Sequence, residues 1–206
     1  AVSTPDGDAP RGSVGPALPG IEPRIADPDA SGVGEVLARG PNVMLGYWRG
    51  GETPGVDPDL TGQVLEGGWL RTGDLGKLDA DGNLTLVGRK KDVIIDANGK
   101  NVYPDEVEDA YREPDLMKEL CVVGLPDGTG EKVAMLVVPD WRERDRGEVR
   151  EKLEAHVRAV SARLPFAKRV KVWHLFEGDL PKTATRKVKR PIVRDELLRI
   201  ETMAQK

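Results

Sequence analysis

The chain changes character once, across residues 89–92. Before that point glycine and proline interrupt it every few residues, leaving short runs such as "IEPRIAD", "GEVLARG" and "GNLTLVG". Turn signals at that density predict short strands in a barrel or sandwich. Beyond it, strand-like and helix-like stretches alternate: "VIID", "YPDEVEDAYRE", "LCVVGLPD", "KVAMLVVPD". The expected fold class is therefore α+β, with a β-rich piece over residues 1–88, a connector at 89–92, and a compact domain at 93–206 whose helices surround a small sheet.

Within the second piece, "RGEVREKLEAHVRAVSARL" places Val149, Leu153, His156, Val157 and Val160 on one helical face. Pro104 suits the first turn of the helix it opens, where its missing N–H would have no partner anyway. A last helix is expected near "RPIVRDELLRI", after the strand "RVKVWHLF". No internal repeat or long low-complexity tract stands out.

At 206 residues the chain can form one ordinary domain or two small ones. Its 31 basic and 35 acidic residues leave a net charge of -4, which argues against a dedicated polyanion binder and leaves room for local basic patches. Cys121 is the only cysteine, so an internal disulfide is impossible and a reducing compartment is expected. His156 and His174 are too far apart in sequence to suggest a zinc site. No run reaches the roughly 18 apolar residues of a membrane helix, and no secretory signal opens the chain, so a cytoplasmic location is expected. The opening "AVSTPDGDAPRGSVGPALPG" has neither a starting methionine nor a helical cap, and reads as cut from something longer.

Five places could carry chemistry. Asp74, in "RTGDLG", sits between glycines where its carboxylate can be exposed to accept hydrogen bonds from a ribose; alone, an Asp in such a turn is more often a turn former. Arg89, closing "LTLVG", carries a planar fork suited to hydroxyl or phosphate oxygens. Lys90, Lys91 and Asp92 follow as an exposed connector or a solvated hairpin tip. In "DANGKNVYP", Gly99 lets the backbone approach a narrow ligand, or simply makes a turn. Finally "LPKTATRKVKRP" concentrates basic residues between Lys182 and Arg194, readable as a solvated face, a nucleic-acid patch without stacking aromatics, or the carrier of one mobile catalytic lysine.

Read in order, "GSVGPALPGIEPRI", "GEVLARGPNVMLGYW", "GWLRTGDLG", "GRKKDVIIDANGKNVYPDEVE" and "LPKTATRKVKR" resemble the acyl-adenylate-forming family of acyl-CoA synthetases, luciferases and peptide-synthetase adenylation domains. The resemblance implies that Asp74 binds the ribose hydroxyls of ATP, that Arg89 also contacts the nucleotide, and that Lys91 is the hinge about which a small domain rotates. Gly99, with Lys100 beside it, would line the pantetheine tunnel for CoA. Lys187 would be the catalytic lysine, reaching the adenylation site where a carboxylate and the α-phosphate repel each other and Mg²⁺ shares the task of offsetting charge. No metal ligand is expected among these residues.

Two positions depart from the family pattern. Arg186 precedes the lysine where glycine is usual, and Asn98 replaces a second glycine. The wording is similar to bacterial long-chain acyl-CoA synthetases, which makes medium- to long-chain fatty acids the expected substrates. The family's phosphate loop and the tyrosine-glycine segment before the ribose site do not occur here. The chain is therefore expected to be the C-terminal part of a longer enzyme, inactive alone, with residues 1–88 exposing apolar surface. The rivals are an acyl-AMP ligase or carrier-loading enzyme, and, more remotely, a binding module docking nucleic acid or an acidic partner through residues 182–194.

Overall fold

A computed structural model describes residues 10, 12–51, 54–142 and 145–204. Most of the unusual opening stretch, residues 1–9, lies outside the described residues. The chain divides into two compact units that meet in sequence between Lys91 and Asp92.

The first unit contains β1 (Glu22–Ala26), β2 (Gly34–Arg39), β3 (Tyr47–Arg49), β4 (Gly55–Asp57), a short α1 (Pro58–Gly62), β5 (Leu65–Glu66), β6 (Trp69–Leu78) and β7 (Leu84–Arg89). The ten-residue β6 is its spine. β2 pairs along one edge of β6, with β1 beyond it, while β5 and β7 share the other edge, all antiparallel. Among the described residues this sheet is open, where the turn rhythm predicts a barrel or sandwich. The reason is visible in β5, whose two residues hold only one end of the shared edge, so that β7 takes the rest and no strand returns to β1. Val36, Leu37, Leu75 and Leu84 are buried. The separate β3–β4 ribbon and α1 leave Leu45, Trp48, Val56 and Leu60 exposed, at 92%, 71%, 47% and 50%, an apolar surface of the kind anticipated for this piece.

Three hairpins use one five-residue loop, a repeat too short to stand out along the whole sequence. In Asp29–Val33, Asp79–Asn83 and Asp96–Lys100 the sequence runs Asp, Ala, a small polar residue, Gly, then the returning strand. Each time one Asp oxygen accepts the N–H groups two and four residues on, at 2.8–3.1 Å. Each time the glycine, with φ of +81°, +79° and +74°, donates to the carbonyl of that Asp. Such a turn followed by a left-handed residue is a common three-residue hairpin loop, and only glycine adopts the left-handed step without steric cost. The β5–β6 turn differs: Gly67 and Gly68, both at positive φ, join it in two residues.

The second unit contains β8 (Ile94–Ile95), β9 (Asn101–Val102), α2 (Pro104–Tyr111), β10 (Met117–Asp127), β11 (Gly130–Pro139), α3 (Arg146–Arg163), β12 (Val172–Leu175) and α4 (Arg190–Ala204). β10 and β11 form a long antiparallel hairpin, and β12 adds parallel to β11 after the α3 crossover. Alternate residues serve opposite faces. Val122, Met135 and Val137 join Tyr111, Val149, Leu153 and Val157 of α2 and α3, whereas Cys121, Val123 and Leu136 join Val193 and Leu197 of α4. Burial on both faces explains why "LCVVGL" and "VAMLVV" are continuous apolar runs with no polar alternation.

The helices begin where their chemistry allows. Pro104 occupies the first turn of α2, and Asp145 caps α3 by accepting the Glu148 N–H at 2.9 Å. Val149, Leu153, Val157 and Val160 are the buried face of α3, and the half-buried His156 reaches the Tyr111 carbonyl oxygen at 3.0 Å. His174 meets Glu201 at 2.8 Å.

Candidate active site

Asp74 owes its direction to a bulge. Between the pairs Leu37–Arg71 and Glu35–Leu75, β6 inserts Thr72, Gly73 and Asp74 opposite the single residue Val36. The Thr72 hydroxyl donates to the Val36 carbonyl at 2.7 Å and accepts the Asp74 N–H at 3.1 Å, while Gly73 takes φ +71°. Such an insertion re-aims a side chain at the cost of local pairing. The "RTGD" string is thus a closed device, threonine for the clamp and glycine for the left-handed step.

Arg89 lies directly across the β6–β7 ladder from Asp74, and its Nε meets Asp74 Oδ1 at 2.9 Å. Both side chains are partly exposed, at 46% and 34%. A Cβ on Gly73 would come 3.4 Å from the Arg89 guanidinium, an ordinary contact, so its φ of +71° is what calls for glycine there. The structure brings together two residues named from sequence as a nucleotide-binding pair. A carboxylate offers about four lone-pair sites, so one guanidinium contact leaves Asp74 able to accept further donors.

Glu35 was not legible as part of this region. It is 7% exposed, and Oε2 accepts Arg71 at 2.9 Å and Lys90 at 3.0 Å. Burial works against its charge, but Lys90 and Arg71 prevail and hold its carboxyl below the ordinary 4.5. A depressed acid contributes stability above its unfolded pKa and loses it as pH falls through the folded one. The first unit is therefore expected to lose stability below about pH 4.5, and Glu35→Gln to flatten that acid limb; thermal denaturation of both chains from pH 3 to 7 measures it. The only signal in sequence was an acid inside the strand "GEVLAR", which would otherwise be uniformly apolar toward the core.

The connector is a 3-10 turn, Lys90–Asp92. Its ends are tied to different units: Lys90 pairs with Glu35, and Asp92 Oδ2 lies 3.7 Å from Arg190 Nε. Lys91 is exposed and has no ion pair among the described residues. Arg190 is the centre of a buried cluster in the second unit. It also pairs with Asp105 and Glu108 and donates to the Val122 carbonyl at 2.9 Å, with its side chain 18% exposed. Burial opposes its charge, yet Glu108 and its neighbours keep its pKa raised. Burial pushes the Glu108 carboxyl up, and Arg190 offsets only part of that shift. The buried Cys121 thiol beside them is pushed up to about 12 by burial, well away from a reactive thiolate.

Gly99 and Lys100 form the tip of the β8–β9 hairpin, both exposed. A Cβ at Gly99 would meet nothing within 4 Å, so its φ of +74° is what requires glycine there. Gly130 shows the opposite case: a Cβ would fall 2.6 Å from backbone atoms of Asp96 and Ala97, so its bareness lets the hairpin base sit against β11.

Lys187 lies in the loop before α4, exposed and with no ion pair among the described residues. Much of the basic run around it is already engaged. Lys182 pairs with Glu119, Arg190 with its three carboxylates, and Arg194 with Glu131 at 3.1 Å. Among the described residues no group of three or more His, Cys, Asp or Glu is arranged to hold a metal ion, and no helix is long and apolar enough to cross a membrane.

Residues 106–187 match the family model of the AMP-binding enzyme C-terminal domain. Over these residues the chain is similar to the C-terminal domain of AMP-binding enzymes. The long-chain-fatty-acid–CoA ligase of Escherichia coli O157:H7 is 36% identical over 202 residues, 95% of this chain and 33% of the relative. The indoleacetate–CoA ligase of Aromatoleum aromaticum is 38% identical over 211 residues, 99% of this chain and 38% of the relative. Among solved structures of the family, ATP-bound MatB from Rhodopseudomonas palustris superimposes with a TM-score of 0.75 at 33% identity, covering 95% of this chain and 38% of that one. The chain spans about a third of the length of the curated relatives it matches. The mixed α+β architecture agrees with this similarity.

Proposed function

We propose that these residues are the C-terminal part of an ATP-dependent acid–thiol ligase that makes an acyl-CoA through an acyl-adenylate, with medium- to long-chain fatty acids as substrates. Residues 93–206 act as its mobile domain and 89–92 as the hinge. The observation that carries the reading is Lys187, an exposed lysine without an ion pair among the described residues, at the end of the family match and inside a run where Lys182, Arg190 and Arg194 are held by carboxylates.

In this reading Asp74 accepts the ribose hydroxyls of ATP, and Arg89 orients that carboxylate while offering its remaining N–H groups to the nucleotide. Lys187 brings a point charge to the reacting phosphate when the mobile domain closes, offsetting the repulsion between carboxylate and α-phosphate. After rotation Gly99 and Lys100 line the tunnel for the pantetheine thiol of CoA, and Lys187 withdraws. The anchoring of Lys90 to the first unit and of Asp92 to the second supports a pivot confined to Lys91. Mg²⁺ would balance phosphate charge when ATP is bound, and among the described residues no group of three or more His, Cys, Asp or Glu is arranged to hold it.

The preference for fatty acids rests on the long-chain ligases among the relatives, and the indoleacetate ligase marks an aryl acid as the competing substrate class. The test is the complete gene product with ATP, Mg²⁺, CoA and a panel of fatty, arylacetic and aromatic acids, followed by mass spectrometry. Long-chain acyl-CoA with AMP is the expected product. Acyl-AMP without thioester would move the assignment to an adenylate-only or carrier-loading enzyme. No product from any acid, with ATP binding intact, would sink the ligase reading and favour a docking role for the basic run, with steep salt dependence.

A further inference from the structure

The loop that carries Lys187 is a fourth copy of the hairpin loop described above, written with different residues. Thr183, Ala184, Thr185, Arg186 and Lys187 stand where the others have Asp, Ala, a small polar residue, Gly and the returning strand. The Thr183 N–H donates to the Lys187 carbonyl at 2.8 Å, and the Arg186 N–H donates to the Thr183 carbonyl at 2.9 Å, as in the three Asp loops. The Lys187 N–H donates to Thr183 Oγ1 at 3.1 Å, replacing the Asp oxygen, and the Thr185 hydroxyl lies 2.9 Å from the same atom. Lys182 and Val188 close the base as an isolated bridge.

One substitution in this copy is costly. Arg186 takes φ +63°, the left-handed step that glycine fills in the other three. For a residue with a Cβ that conformation is sterically strained, and it persists where the surroundings over-determine it. Here they converge on a single residue: both backbone groups of Lys187 and the N–H of Arg186 bond to Thr183.

We infer that Thr183 is the positioning residue for Lys187, its hydroxyl holding the strained Arg186 step and so the direction in which the Lys187 side chain leaves the backbone. The inference rests on the reading of Lys187 as the lysine of adenylation. An Asp at this position would supply the same acceptor but set a negative charge four residues from the ammonium, partly cancelling the charge the reaction needs. Threonine gives the hydrogen bond and leaves the cation intact.

Two measurements test it. In the 206-residue chain, Thr183→Val keeps the side-chain shape and removes the oxygen. The solvent-exchange rate of the Lys187 amide, followed by NMR, is expected to rise about fivefold or more, the equivalent of one hydrogen bond. In the complete gene product, the same variant is expected to lower kcat for ATP–pyrophosphate exchange about tenfold or more, with KM for acid and ATP within about twofold. Thr183→Ser, which restores the oxygen, is expected to return both to near the parent values. An unchanged amide, an unchanged kcat, or a loss that serine does not rescue would each overturn the positioning role. Lys187→Ala run beside it separates the two ideas: if that variant retains exchange activity, the assignment of Lys187 fails first.

Discussion

Lys187→Ala in the complete gene product is expected to cut the adenylation half-reaction by about 10²–10³-fold, the usual cost of removing one pre-placed group that meets developing charge. Acid and ATP should bind nearly as before, because Lys187 contributes no packing: it is exposed and its side chain touches no carboxylate among the described residues. Conversion of a supplied acyl-adenylate to thioester should be spared, since in the proposed cycle the lysine withdraws for that step. The experiment compares single-turnover formation of acyl-AMP with single-turnover thioester formation from synthetic acyl-AMP. Equal loss in both steps would mean that Lys187 supports the domain as a whole; no loss in either would remove it from the chemistry. A free ammonium suits this task because it is a compact charge on a flexible stem. Its neighbours Lys182 and Arg194 could not substitute for it, being held by Glu119 and Glu131.

The second large effect is structural. Arg190→Ala should destabilise the second unit by about 3–5 kcal/mol, because it leaves the buried Glu108 carboxylate with the Val122 N–H at 2.9 Å but no cation. That is a large part of the roughly 5–15 kcal/mol by which a domain is stable. The sign with pH follows from Glu108. Its carboxyl is already raised by burial, with Arg190 holding part of that shift back, so in the variant it rises further. An acid raised in the folded state loses stability as pH increases from its unfolded to its folded pKa, so the variant's deficit should be greatest at neutral pH and shrink toward pH 5. Denaturant titration at both values measures it. The double change Arg190→Met with Glu108→Leu should recover part of the loss, since well-packed apolar residues often replace a buried ion pair without penalty, the remainder being the Val122 N–H and carbonyl left without Glu108 and Arg190. A deficit independent of pH, or no rescue by the double change, would contradict the account of Glu108 as the stranded charge. Because Arg190 also reaches Asp92 at 3.7 Å, the single variant should loosen the connector on the side of the second unit.

Several local features could be read from sequence because they depend on neighbours in the chain. The apolar face of α3 followed from a period of 3.6 residues, and the start of α2 from Pro104. Asp-Ala-x-Gly strings are hairpin loops because one carboxylate can reach two amides within four residues and glycine alone takes the left-handed step freely. The family motifs were likewise legible, since each is a contiguous string. Yet the same locality hid the fourth loop, where threonine and arginine do the work of aspartate and glycine.

What the tertiary structure decided is everything that joins distant positions. Register across β6 and β7 sets Arg89 against Asp74, and the three-residue bulge, clamped through the Val36 carbonyl, fixes how Asp74 is presented. Glu35 meets Lys90 across 55 positions and Arg190 meets Glu108 across 82, contacts that no periodicity encodes. The expected barrel or sandwich became an open sheet because strand order is settled by which edges remain unpaired, not by turn spacing. Sequence by itself determined the residue types, the local turns and the family that the motifs resemble. Only the fold decided which charges in those motifs are spent on one another and which, like that of Lys187, have no ion pair among the described residues, because charges far apart in the chain neutralise each other only where packing brings them within a few ångströms.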